Sequence, residues 1–291
     1  MNLCSPKVIR EIMAGAGIHF RHDYGQNFLV DPTVPERIAE MCADTSERLI
    51  LEVGPGIGCL TQELAMRYER VAAVEIDKGL IPVLRQTLAE YDNISVTNAD
   101  IMKVDLPTFL EEQLESMGKV DDPISVCANL PYYITTPILM RLLECGVKFD
   151  TITIMIQKEV AARLAAEPGT ADYGAITAVL GYYGEVRKLF SVSASAFMPA
   201  PKVDSAVVRI DLYKTCPYKV RDEAFFFRVL HGAFEMRRKT LVNAVSAKIP
   251  NLEKSTITRV LLDMGLSETI RGERLSTAQF VELSNRLFDT M

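Results

Sequence analysis

Apolar positions in the first two thirds of the chain fall in short continuous runs that alternate with stretches of helical spacing. Leu49–Val53 is such a run; it ends in Gly54-Pro55-Gly56-Ile57-Gly58, and helical periodicity then continues through Tyr68. The alternation repeats. Val71–Val74, ending at Glu75, precedes a helix over Leu80–Tyr91; Ile94–Thr97, ending near Asp100, precedes Leu106–Met117. Ile124–Ala128, ending at Asn129, precedes Ile138–Cys145, and Thr151–Ile156 precedes Lys158–Ala166. A shorter helix, Val34–Cys42, stands before the series. Strands alternating with helices of this length predict an α/β fold, with a doubly wound, mostly parallel sheet and right-handed crossovers.

The pattern then changes. Val186–Phe190 and Ala206–Leu212 read as strands without a full helix between them, separated by Phe197-Met198-Pro199-Ala200-Pro201. This predicts an antiparallel closing hairpin at the sheet edge. Beyond Thr215-Cys216-Pro217 only helical spacing remains, over Glu223–Phe234, Lys239–Lys248, Lys254–Met264 and Thr277–Phe288. The chain therefore divides near Tyr213–Pro217 into a sheet domain, residues 1–214, and a small α-helical domain, residues 215–291.

Composition adds exclusions. No apolar run reaches the length of a signal peptide or a membrane span, which predicts a cytoplasmic protein. Six scattered cysteines without a C-x-x-C pair suggest neither a zinc site nor a disulfide framework, and His19, His22 and His231 form no metal-binding motif, so no metal is expected. The net charge of −6 speaks against a nucleic-acid ligand only until its distribution is seen: residues 1–147 carry 12 Lys/Arg and 22 Asp/Glu, residues 218–291 carry 12 and 9. A basic face in the last part can still meet phosphates.

Ligands of doubly wound sheets bind outside the carboxyl ends of the strands. The glycine turn there departs from a dinucleotide fingerprint, because Cys59 stands where the third glycine belongs, Pro55 removes a backbone N–H and Glu52 adds an acid. A pyrophosphate is poorly served; a ligand carrying a sulfonium and an ammonium, such as S-adenosylmethionine, is better served. Glu75, at the tip of the second strand, can accept ribose hydroxyls, with Asp77 read as an N-cap-type residue, and Asp100 can accept from an adenine amine. Asn129-Leu130-Pro131-Tyr132 ends the fourth strand. The Asn129 side-chain oxygen and the Leu130 carbonyl can hold the two N–H groups of an adenine amine, Pro131 stiffens the turn, and Tyr132 offers a ring for stacking.

The chain resembles the ribosomal RNA adenine dimethyltransferase family, and within it the bacterial small-subunit branch. The resemblance rests on Tyr24-Gly25-Gln26-Asn27-Phe28-Leu29, the glycine turn, Asn129-Leu130-Pro131-Tyr132, Gln157-Lys158-Glu159-Val160, the Phe197 to Ser205 segment and Arg237-Arg238-Lys239-Thr240. It implies a Rossmann-like class I methyltransferase sheet that uses S-adenosylmethionine. It further implies that Asn27 and Leu29 close over this cofactor, that Gly54 and Gly56 contact it, that Glu75 and Asp100 hold its ribose and adenine, and that Asn129 bridges it to the target. Phe197 would stack on the target base opposite Tyr132. Lys202, Arg237, Arg238 and Lys239, with Arg209 and Arg221 as further contributors, would meet RNA phosphates.

The substrate so implied is a pair of adjacent adenosines in the 3′-terminal hairpin loop of 16S rRNA, within the immature small subunit, dimethylated at N6 by a monomeric enzyme with a role in subunit biogenesis. A large-subunit rRNA adenine methyltransferase and a mainly non-catalytic assembly factor are the alternatives.

Overall fold

The computed structural model describes residues 1–17, 26–46, 48–120, 122–236 and 238–291. His19, His22, Tyr24, Gly25 and Arg237 lie outside the described residues.

The chain forms two compact units, residues 1–161 with 187–212, and residues 162–186 with 213–291. The first opens with helix α1 (Pro6–Gly15), a two-residue strand β1 (Phe28–Leu29) and α2 (Thr33–Glu40). The alternating series follows: β2 (Leu49–Val53), α3 (Cys59–Ala65), β3 (Arg70–Glu75), α4 (Leu80–Thr87), β4 (Ile94–Asn98), α5 (Leu106–Ser116), β5 (Ile124–Asn129), α6 (Thr135–Glu144), β6 (Phe149–Gln157) and α7 (Lys158–Leu164). Then come α8 (Ala175–Tyr183), β7 (Gly184–Val192), the short β8 (Phe197–Met198) and β9 (Ser205–Leu212). The second unit is completed by α9 (Glu223–Glu235), α10 (Leu241–Lys248), α11 (Lys254–Asp263) and α12 (Thr277–Phe288).

The main sheet runs in the order β4-β3-β2-β5-β6-β9-β7. The strands β4, β3, β2, β5 and β6 are parallel, and β9 pairs antiparallel with β6. Burial follows this order: all five residues of β2 are buried, whereas none of β4 at the sheet edge is. The continuous apolar runs in the sequence are thus those covered on both faces. The expected closing hairpin is realised with β9 lying inside β7. A second, two-stranded sheet pairs Leu29 with Phe197 and Phe28 with Met198, extended by the Val30 N–H donating to the Ala196 carbonyl at 2.8 Å.

The single change-over expected near Tyr213–Pro217 misses the segment 162–186, which groups with the helical unit. Its helix α8 was not anticipated, because Ala175–Tyr183 is apolar on every side and carries no amphipathic period. It packs within its own unit: the Thr277 hydroxyl donates to the Ala178 carbonyl at 3.0 Å, and a Cβ at Gly181 would stand 2.4 Å from that hydroxyl. Tyr182 meets Phe226 and Phe227 edge-on or tilted, with ring centroids 4.9 and 5.4 Å away. Helix α10 begins two residues later than the apolar spacing suggests, since the Thr240 hydroxyl accepts from the Asn243 N–H and caps the helix. Arg238 and Lys239 therefore stand exposed in the turn before α10 rather than on it.

Candidate active site

The strand order reverses direction between β2 and β5: β3 and β4 continue to one side of β2, β6 to the other. A crevice opens at such a switch point. Val53 pairs with Val74 and with Ala128, and Glu75 pairs with Asn98, so the carboxyl ends of four strands form one rim. The Gly54 N–H prolongs this pairing by donating to the Val74 carbonyl at 3.0 Å, and the Leu130 N–H does so by donating to Met155 at 3.2 Å.

A cleft with about 730 Å³ of empty space, part of it open to solvent, lies over this rim. Its lining includes Asn27, Leu29, Gly54, Gly56, Glu75, Asn129 and Pro131. Gly54 and Gly56 have φ of 72° and 62°, a conformation that L side chains rarely adopt, and a Cβ at Gly56 would stand 3.2 Å from the Phe28 ring. The backbone can thus be approached closely from the cleft.

Two carboxyl groups sit under the turn. Glu75, 4% exposed, accepts from the Gly56 N–H at 3.2 Å and the Asp77 N–H at 2.8 Å, one on each oxygen. Each oxygen keeps capacity for a further donor such as a hydroxyl. Burial raises its pKa, against the lowering effect of those two bonds. Glu52 is 1% exposed and its Oε2 has no hydrogen-bond partner. Burial pushes its pKa up to about 8; the Thr61 hydroxyl nearby tempers this without reaching hydrogen-bonding geometry, and Glu75 adds to it. The reading of Glu52 as a standing negative charge therefore needs correction. Burial favours its protonated form, and a cation beside it favours the charged one.

Asp77 is not the N-cap expected of it: Gly79 holds that position before α4 without a side-chain cap, and Asp77 accepts from the Gly79 N–H at 2.9 Å in the preceding turn. It also receives the Gln26 side-chain amide at 2.9 Å, which pins the start of the Gln26–Leu29 segment to the rim. Asp100 is not brought into the cleft lining. It lies past the end of β4, half-buried, accepting from the Met102 N–H at 3.0 Å and 3.7 Å from the Lys103 ammonium. Apolar walls were missed in the sequence: Ile57 and Leu80 line the cleft, and Ile76 does so while 48% exposed. An isoleucine directly after the strand-end acid Glu75 was the signal available in the sequence for this apolar wall.

Beside the glycine turn, on the neighbouring strand, Asn129 lines the cleft and its loop closes on itself, with the Ile134 N–H and the Thr135 hydroxyl both donating to the Pro131 carbonyl at 3.2 Å. The Tyr132 ring is half-buried and its phenol lies 2.7 Å from the Ser205 hydroxyl. Phe197 is not presented to the cleft: it is 4% exposed and packs into the core with Phe28 and Leu29. Lys202 is exposed. Arg209 cannot serve as a phosphate contact, because its buried guanidinium is taken up by Asp44 at 2.5 Å, Asp211 at 2.8 Å and the Met41 carbonyl at 3.1 Å. Arg221 is exposed and 3.3 Å from Asp289.

Among the described residues no group of three or more His, Cys, Asp or Glu could hold a metal ion, and no helix is long and apolar enough to cross a membrane.

The profile of the family described as ribosomal RNA adenine dimethylase matches residues 17–287. The chain is 41% identical to the ribosomal RNA small subunit methyltransferase A of Bacillus licheniformis, over 100% of this chain and 99% of that protein. It is 44% identical to the protein of the same name from Lachnoclostridium phytofermentans, over 99% of each. Among solved structures, the 23S rRNA methyltransferase ErmE is 26% identical with a TM-score of 0.69, over 90% of this chain and 100% of that one. A dimethyladenosine transferase from Plasmodium falciparum, 24% identical over 88% of this chain and 95% of its own, shares the fold with a TM-score of 0.72.

Proposed function

The chain belongs to the ribosomal RNA adenine dimethylase family, and from that premise we propose that it dimethylates N6 of two adjacent adenosines in the 3′-terminal hairpin loop of 16S rRNA. The methyl donor is S-adenosylmethionine and the substrate is the small ribosomal subunit during its biogenesis. The observation that carries this reading is one cleft of a Rossmann-like class I methyltransferase sheet holding both Glu52, with its unpartnered buried oxygen, and Asn129. The acid answers a cationic cofactor; the amide answers an amine substrate.

Bound S-adenosylmethionine supplies an activated methyl group. The chain's own residues bind and orient. Glu52 fits the ammonium, Glu75 the ribose hydroxyls, the glycine turn the methionine part, and Ile57, Ile76 and Leu80 the faces of the adenine ring. Asp100 keeps acceptor capacity for the adenine amine beside its one bond to the Met102 N–H, and reaches it only from outside the present cleft lining. Asn129 and the Leu130 carbonyl hold the N–H groups of the target adenine, whose nitrogen lone pair is otherwise spread into the ring. Alignment supplies most of the acceleration, and no strong base is required because the amine becomes acidic once alkylated. Tyr132 stacks on the base, and Phe197 meets its opposite face only if its ring leaves the core.

RNA phosphates are met by Lys202 and by Arg237, Arg238 and Lys239. Full-length identity above 40% to proteins named for the small subunit favours that substrate over the large subunit of the ErmE-like alternative. Incubation with labelled S-adenosylmethionine and unmodified ribosomal subunits tests the choice: label enters the small subunit only. Label in the large subunit reverses it.

A further inference from the structure

The Tyr132–Ser205 pair is unexplained by binding or catalysis as described. Tyr132 is a loop residue with a half-buried ring, and Ser205 is fully buried at the first position of β9. Their hydroxyls are 2.7 Å apart across 73 positions of sequence. Ser205 is itself rigidly placed: it pairs with Gln157 at the end of β6, and its neighbour Asp204 accepts from the Lys158 N–H at 3.0 Å through its carbonyl. The Asp204 carboxylate accepts from the Ala194 N–H at 3.1 Å, closing the base of the segment that carries Phe197.

We propose that Ser205 is a positioning residue for the methyl transfer, tethering the Tyr132 phenol so that the ring holds one orientation as a platform for the target adenine. The proposal rests on the reading that Tyr132 meets that base. A stacking ring must keep a face open, so it cannot be fixed by packing on both sides, and a tyrosine on a loop has two rotatable bonds to immobilise. A hydrogen bond at the far edge of the ring fixes it and leaves the face free. This assigns the phenol a mechanical role and explains why the position carries tyrosine rather than phenylalanine. Burial raises the phenol's pKa, so it remains protonated at neutral pH and does not serve as a base.

The test is single-turnover methylation of unmodified small subunits at saturating cofactor, with Ser205→Ala, Tyr132→Phe, the double variant and Tyr132→Ala. Ser205→Ala and Tyr132→Phe each slow the step about two- to tenfold, the range of one ordinary hydrogen bond, with cofactor affinity and Tm close to wild type. The double variant is no slower than either single variant, because both remove the same tether. Tyr132→Ala is slower than all three. Tyr132→Phe reacting at the wild-type rate, or single losses that multiply in the double variant, overturns the tether. Loss of cofactor affinity and Tm in step with rate for Ser205→Ala also overturns it, in favour of a purely structural serine. Should Ser205→Ala fail to fold, Tyr132→Phe decides alone, since it leaves β9 untouched. Tyr132→Ala at the wild-type rate instead overturns the underlying placement of the base on Tyr132.

Discussion

At the glycine turn the carboxyl groups are buried: Glu75 accepts from two backbone N–H groups, whereas Glu52 keeps one oxygen without a partner and burial pushes its pKa up to about 8. Around Asn129, itself half-buried like Pro131 and Tyr132 while Leu130 is buried, the loop is fixed by its own turn and by the Tyr132–Ser205 contact. The difference matches the two ligands. In the proposed function a small cofactor takes the buried carboxyl groups, and a base extruded from a large RNA takes the groups around Asn129 and Tyr132. The two sets of groups should therefore fail separately.

The largest effect is expected from Asn129→Ala. Turnover falls at least about 100-fold, as when an acceptor or donor at the reacting atom is removed, while the S-adenosylmethionine Kd changes by less than about fivefold. Calorimetric titration and single-turnover methylation of the same preparation measure both, and a matching loss in both erases the division between the two sets.

Glu52→Gln should do the reverse, weakening the cofactor about tenfold, the scale of one charge-assisted bond, with less effect on the step at saturation. It also has a pH signature. The unfolded chain releases the Glu52 proton by about pH 5, whereas the folded ligand-free protein keeps it to about 8. Raising the pH from 5 to 8 therefore destabilises the ligand-free fold, and the glutamine variant escapes this. Its Tm at pH 8 should exceed wild type by several degrees, at roughly 2–4 °C per kcal/mol, and the two should converge toward pH 5. Equal Tm profiles would place the charge elsewhere.

The smallest effect concerns neither set. Replacing Arg238 and Lys239 by Ala should lower the salt dependence of subunit binding by about one to two units in slope and leave cofactor affinity unchanged. An unchanged slope moves the RNA footprint off the α9–α10 turn.

Much of the sheet was legible because its apolar runs stop abruptly at Gly54, Glu75 and Asn129, residue types that end strands and carry chemistry. The same logic hid other parts. Ile57, Ile76 and Leu80 look like core in any pattern, yet they wall the cleft. Phe197 and Arg209 show the converse, since residue type alone does not reveal that one ring is packed inside and one guanidinium is already neutralised by two carboxylates. The strands β1 and β8 are two residues each, below the length at which alternation is visible, and their pairing joins positions 28 and 198. The state of Glu52 followed from burial, which its place inside an apolar run hinted at but its charge disguised.

The most direct test of the central claim is nucleoside analysis of 16S rRNA after reaction of the purified protein with unmodified small subunits and S-adenosylmethionine. The account predicts N6,N6-dimethyladenosine at two neighbouring positions in the 3′-terminal hairpin loop; absence of methylated adenosine, with subunit binding retained, would contradict it.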